Sequence, residues 1–204
     1  MKIERIATFS SQALDDAPKE RIACLNWPEE FPYAPDVRFS MLHDGEHLFL
    51  KFFVNEAVTA ALALTDNTPV CNDSCVELFI APDDEGYYNF ECNATGTLLT
   101  GYRHPGEKAE RAPKEVLAQV PRIPSLPRQV IPEQHIAPWE LTLILPKGLF
   151  FRHQIETFSG LRMRANLYKC GDGLSRPHYL SWQPIRTERP SFHQPDFFGE
   201  LLFE

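Results

Sequence analysis

The chain has 204 residues, with 20 Lys and Arg against 28 Asp and Glu, and a formal net charge of -8. That acidic excess argues against nucleic acid as the main partner and against adsorption to an anionic membrane, since both need a basic surface. Apolar residues make up 43% and charged residues 24%, an ordinary globular composition, and no apolar run approaches the roughly 20 residues of a membrane-spanning helix.

The length suits one domain spanning residues 1–204. The opening Met-Lys-Ile-Glu-Arg-Ile has no apolar stretch of signal type. As written the chain therefore reads as cytoplasmic, or as periplasmic or extracellular if a leader has been trimmed. Cys24, Cys71, Cys75, Cys92 and Cys170 are odd in number and unevenly spaced, a poor disulfide framework. They read as reduced thiols packed as small hydrophobes.

The 18 prolines punctuate the chain at 28–35, 105–138 and 177–195, so long helices are not expected there. Between them, alternating β-rich runs predict strands near 2–7, 37–42, 47–54, 75–81, 87–93, 97–103, 139–145, 161–169, 179–183 and 199–203. Asp44-Gly45 is a hairpin signal, and Asn93 to Gly96 forms a second turn. Residues 104–138 read as one long Pro-rich surface connection, with a short helical turn at 114–119. The expected class is an all-β antiparallel sandwich.

Alternation sorts each strand into faces. Val76, Leu78 and Ile80 oppose Cys75, Glu77 and Phe79; Tyr88, Phe90 and Cys92 oppose Tyr87, Asn89, Glu91 and Asn93. Met163, Ala165 and Leu167 oppose Arg162, Arg164, Asn166 and Tyr168. One face thus collects Glu77, Asn89, Glu91, Asn93, Arg103, Arg164 and Asn166, planar groups of the kind that grip vicinal hydroxyls in pairs. Glu77 and Glu91 also permit the two-carboxylate chemistry of glycoside hydrolysis.

The run Val70-Cys-Asn-Asp-Ser-Cys-Val-Glu-Leu-Phe-Ile-Ala-Pro82, then Tyr88-Asn-Phe-Glu-Cys-Asn93 and Gly96, resembles the family 9 carbohydrate-binding modules and their relatives. Asn166-Leu-Tyr-Lys-Cys-Gly171, Pro177-His-Tyr-Leu-Ser-Trp182 and Phe192-His-Gln-Pro-Asp-Phe-Phe-Gly199 fit the same family, in its short family 9-like branch. The resemblance runs from about Trp27 to the end and leaves 104–138 unmatched. It implies a DOMON-like, immunoglobulin-like β-sandwich that binds a saccharide without cleaving it. No cofactor is required, although a structural calcium ion is common in the family.

Carried over residue by residue, the resemblance makes Trp182 the stacking ring and Glu77 the strand carboxylate on the sugar hydroxyls. It makes Glu91, Asn93, Asn166 and Lys169 further polar contacts. Arg103 and Arg164 join on the face argument alone, and would favour an acidic sugar. His178 and His193, in Pro-rich loops, either reach a ligand or fix the loops. The family's second stacking Trp has no counterpart, because 66–72 reads Asp-Asn-Thr-Pro-Val-Cys-Asn. Trp27 and Trp139 read as core or edge packing. Asp73 and Ser74 read as turn caps, and Asp83 and Asp84 as a solvated acidic turn or as calcium ligands. Three other readings stay open: hydrolysis through Glu77 and Glu91, a haem-binding domain using Met41 and histidines, and a protein-interaction module.

Overall fold

Ten principal strands form where alternation predicts them. They are β1 (Lys2–Arg5), β2 (Asp36–His43), β3 (His47–Asn55), β4 (Cys75–Ala81), β5 (Tyr87–Asn93), β6 (Leu98–Arg103), β7 (Trp139–Pro146), β8 (Arg162–Cys170), β9 (Tyr179–Ser181) and β10 (Gly199–Phe203). The computed structural model describes residues 1–104 and 106–204. Two short helices, α1 (Ser11–Asp16) and α2 (Lys114–Leu117), complete the regular structure used below.

One sheet runs β6–β5–β4–β8–β10, with β9 on the end of β8. The other runs β2–β3–β7. Strand β1 joins the two. Its first half pairs in parallel with β10 and its second half in parallel with β2. The β2–β3 hairpin turns at Asp44-Gly45, where Gly45 takes a φ of 98° and the Asp44 carboxylate accepts the Glu46 and His47 amides.

The inward faces meet in a dry core. Val37, Phe39, Met41, Leu48, Leu50, Phe52, Leu141 and Leu143 come from one sheet, and Val76, Leu78, Ile80, Tyr88, Phe90, Ala165 and Leu167 from the other. Met41 is part of this core and not of a histidine-lined pocket. Trp139 is buried there too. Helix α1, capped by the Ser10 side chain on the Ala13 amide, covers the outer face of the β2–β3 sheet with Leu14 over Phe49.

The 104–138 connection is more structured than its prolines predict. Glu110–Arg111 pairs with β6, Arg122–Pro124 with β7, and Ile131–Gln134 with Thr59–Ala61. All three are short and peripheral, where a proline is tolerated because its missing N–H need not face a partner. Pro105 lies outside the described residues. The helical turn expected at 114–119 is α2.

The outer face of β5–β4–β8 is not solvated. Cys75, Phe79, Tyr87, Leu99, Tyr168 and Cys170 form a second apolar cluster, roofed by Trp27, Ile185, Phe192 and Phe198 from the Pro-rich loops. This roof positions the site described next.

Candidate functional site

Strand register decides what stands together. On the outer face of β4, Glu77 lies directly across from Glu91 of β5 on one side and from Tyr168 of β8 on the other. Cys75 lies directly across from Cys170. Both carboxylates are buried, Glu77 at 3% exposure and Glu91 at 8%. Like charges opposed across a ladder repel. Burial and the facing Glu91 push the Glu77 carboxyl well above its ordinary range. Burial also raises Glu91, but the Asn89 amide at 2.8 Å and the Arg111 and Arg103 guanidiniums oppose the rise.

The C-terminal loops close over this floor. Phe192 stacks on Tyr168 with centroids 4.2 Å apart and an interplanar angle of 12°. His193 stacks on Phe79 at 4.9 Å, and its Nδ1 meets the Tyr87 hydroxyl at 2.9 Å. Tyr179 meets Phe192 edge-on at 6.0 Å, and Trp27 packs behind both rings. What remains between roof and floor is a cleft of about 250 Å³. Glu77, Glu91 and Cys170 line its floor, Phe79, Tyr179, Phe192 and His193 its walls, and Cys71 and Asp172 its margin. A larger groove of about 360 Å³ lies over Phe53 on the other sheet. Its polar rim is largely paired, Arg38 with Asp36 and Glu140 with Lys51, so it presents few free groups to a ligand.

Two of the nine residues singled out from sequence, Glu77 and Glu91, line the cleft. Arg103 stands beside it with Tyr87 and His193, donating to the Glu107 carbonyl. The other six lie elsewhere. Asn93 organises its turn: its side-chain oxygen accepts the Thr95 and Thr97 amides, and its nitrogen donates to Asp73. Arg164 donates to Asp84 at 2.8 Å and to the Pro195 carbonyl. Asn166 is fully buried and tied to the backbone of Gln183 by two hydrogen bonds. Lys169 and His178 are both fully buried, and the Lys169 ammonium meets Glu56 at 2.8 Å and the His178 ring at 2.8 Å. Trp182 packs edge-on against Phe39 at 5.9 Å, as part of the inter-sheet core.

The acidic turns behave as local structure. Asp73 accepts the Leu62 and Ala63 amides, and Ser74 the Ala60 amide. Asp83 faces His153 and Asp84 faces Arg164, so basic side chains pair with this turn.

The model of carbohydrate-binding family 9 matches residues 10–203. The chain belongs to carbohydrate-binding family 9. The saccharide-binding β-sandwich expected from the sequence is therefore the correct class. Among solved structures, a proposed carbohydrate-binding protein from Bacteroides uniformis ATCC 8492 is 38% identical, with a TM-score of 0.95 over 100% of this chain and 98% of that one. A family 9 module from Caldicellulosiruptor kristjanssonii in complex with glucose is 10% identical, with a TM-score of 0.63 over 100% and 95% of the two chains. The same organism's module in complex with cellotriose is 9% identical, with a TM-score of 0.64 over 100% and 93%. At that identity the likeness to the two complexes is one of fold. No curated protein matches the chain.

The aromatic walls of this cleft were not singled out from sequence. Tyr179 and Phe192 both lie inside the motifs that carry the resemblance, but Trp182 took the stacking role. Parity was the available signal. Leu180 is fully buried in the inter-sheet core, and Trp182, two residues on, follows it inward, whereas Tyr179 faces out.

Proposed function

We propose that this family 9 chain binds a neutral saccharide, one sugar unit deep, in the cleft between Glu77, Glu91 and the Tyr179–Phe192 wall. The observation that carries this reading is the juxtaposition of two buried, facing carboxyl groups with a wall of rings. A carboxyl group offers acceptor oxygens and, when it carries a proton, a donor as well, so two facing carboxyls suit adjacent hydroxyls. Rings offer their faces to the apolar C–H side of a sugar. About 250 Å³ is below the range of drug-sized pockets and fits a terminal residue better than the middle of a chain.

Acidic sugars are disfavoured. The cleft holds Glu77 and Glu91 with Asp172 at its margin, while Arg164 is taken up by Asp84. Membership of the family supports binding without cleavage. Incubation with cello-oligosaccharides should release no new reducing ends, whereas turnover lost in Glu91→Gln would favour hydrolysis instead.

Titration calorimetry with glucose and cellotriose tests the site. Tyr179→Ala and Glu91→Gln are each expected to weaken binding tenfold or more while the far-ultraviolet circular dichroism stays unchanged. Wild-type affinity in both variants would remove the cleft from consideration.

A further inference from the structure

The floor of the cleft carries chemistry that sugar binding does not call for. Cys75 and Cys170 face each other across β4 and β8, both free thiols and both buried. The Cys170 Sγ lies 3.1 Å from Glu77 Oε1, and the Cys75 Sγ lies 3.9 Å from the same oxygen. All three donor atoms fall within 4.8 Å of one another. In tetrahedral zinc sites with Zn–S near 2.3 Å and Zn–O near 2.1 Å, the sulfur–oxygen edge is about 3.6 Å. The two observed sulfur–oxygen edges straddle that length, and the sulfur–sulfur edge, within 4.8 Å, is brought toward the roughly 3.8 Å of such a site by side-chain rotation.

We propose that Cys75, Cys170 and Glu77 form a three-donor site for a thiophilic divalent cation, zinc foremost, with its fourth position open to the cleft. Two thiolates select a soft or borderline metal over calcium or magnesium, which take oxygen alone. Three protein donors from two adjacent strands leave one tetrahedral corner empty, and Glu77 and Cys170 both line the cleft, so that corner faces it. The strands are central in their sheet, and their backbone ladder fixes the donors before any ion arrives. Binding takes both thiols to thiolates and Glu77 to its carboxylate and releases the protons they carried; no electron is transferred.

The proposal does not depend on the saccharide reading, and its test uses no sugar. Reduced wild-type protein is titrated with cobalt(II) under anaerobic conditions. The expected result is a sulfur-to-cobalt charge-transfer absorption that saturates at one ion per chain and is bleached by zinc. Cys75→Ser and Cys170→Ser should each lose most of that absorption, and Cys24→Ser none. Should the serine variants fail to fold, zinc-edge X-ray absorption of the wild-type zinc complex reads the same site, with two sulfur neighbours near 2.3 Å expected. No charge-transfer absorption in the wild type, absorption unchanged in both folded serine variants, or a zinc shell without sulfur would overturn the proposal.

Discussion

Tyr179 and Trp182 flank one short strand and face opposite ways. Tyr179 joins the outer cluster beside Phe192, and Trp182 lies against Phe39 between the sheets. Their substitutions should separate cleanly. Trp182→Ala removes a half-buried ring from the core edge and is expected to cost about 2 kcal/mol, somewhat below the cost of emptying a fully buried aromatic site. Its saccharide affinity should stay within twofold of wild type. Urea denaturation and calorimetry on the same variant check both halves; tenfold weaker binding at undiminished stability would restore Trp182 to the site. The family resemblance points to this residue through its place at the end of Pro177-His-Tyr-Leu-Ser-Trp182. The side of the sheet it faces could have been read from alternation past Leu180, and that signal is the stronger one.

Among the elements, β8 shows what a sequence cannot place. Its inward and outward faces were readable, because Met163, Ala165 and Leu167 alternate with polar neighbours. Its register against β4 was not, because nothing local links residues so far apart, and that register brings Cys170 to Cys75 and Tyr168 to Glu77. Toward its end, Lys169 breaks the apolar alternation. The ammonium is fully buried and answered by Glu56, which in turn accepts the Trp139 indole N–H at 2.8 Å. This triangle ties β8 to β7 at one end of the core. Glu56→Gln should cost about 3–5 kcal/mol by chemical denaturation, because it leaves an uncompensated buried charge. A loss under 1 kcal/mol would show that Lys169 sheds its charge or finds another partner. The small strands of the 104–138 connection were also invisible beforehand, since two- and three-residue pairings leave no periodic pattern.

At the scale of the molecule, two sheets share one strand, and the faces they leave outside are covered by loops and by α1. The ten strands and the core were legible because alternation, turn signals and the prolines agree. The roof over the second cluster was not, because its loop residues have no period. The buried histidines make this structure sensitive to acid. Burial first, and then the neighbouring Lys169, lowers the His178 pKa to about 3, and burial lowers that of His43 as well. In the unfolded chain both imidazoles take up protons near pH 6.5, so their contribution is intact above that pH and declines as the pH falls toward 3. Burial raises the Glu56 carboxyl, but Lys169 together with the Trp139 and Ser74 hydrogen bonds brings the pKa below 4.5, so this cluster adds a further loss below pH 4.5. Glu77, raised by burial, works in the opposite sense and gains stability as the pH falls, so the test is a difference: the unfolding free energy of the wild type should fall relative to that of His178→Gln between pH 7 and pH 4. A difference that does not change with pH would mean that His178 titrates alike in both states.

The claim that a saccharide occupies the cleft on the outer face of β4, β5 and β8 is tested most directly by calorimetric titration of the wild type, Tyr179→Ala and Trp182→Ala with cellotriose. Saturable one-to-one binding is expected in the wild type, with a loss of tenfold or more in Tyr179→Ala and near wild-type affinity in Trp182→Ala. Binding that survives Tyr179→Ala and vanishes in a folded Trp182→Ala would contradict it and move the site to the other side of the sheet.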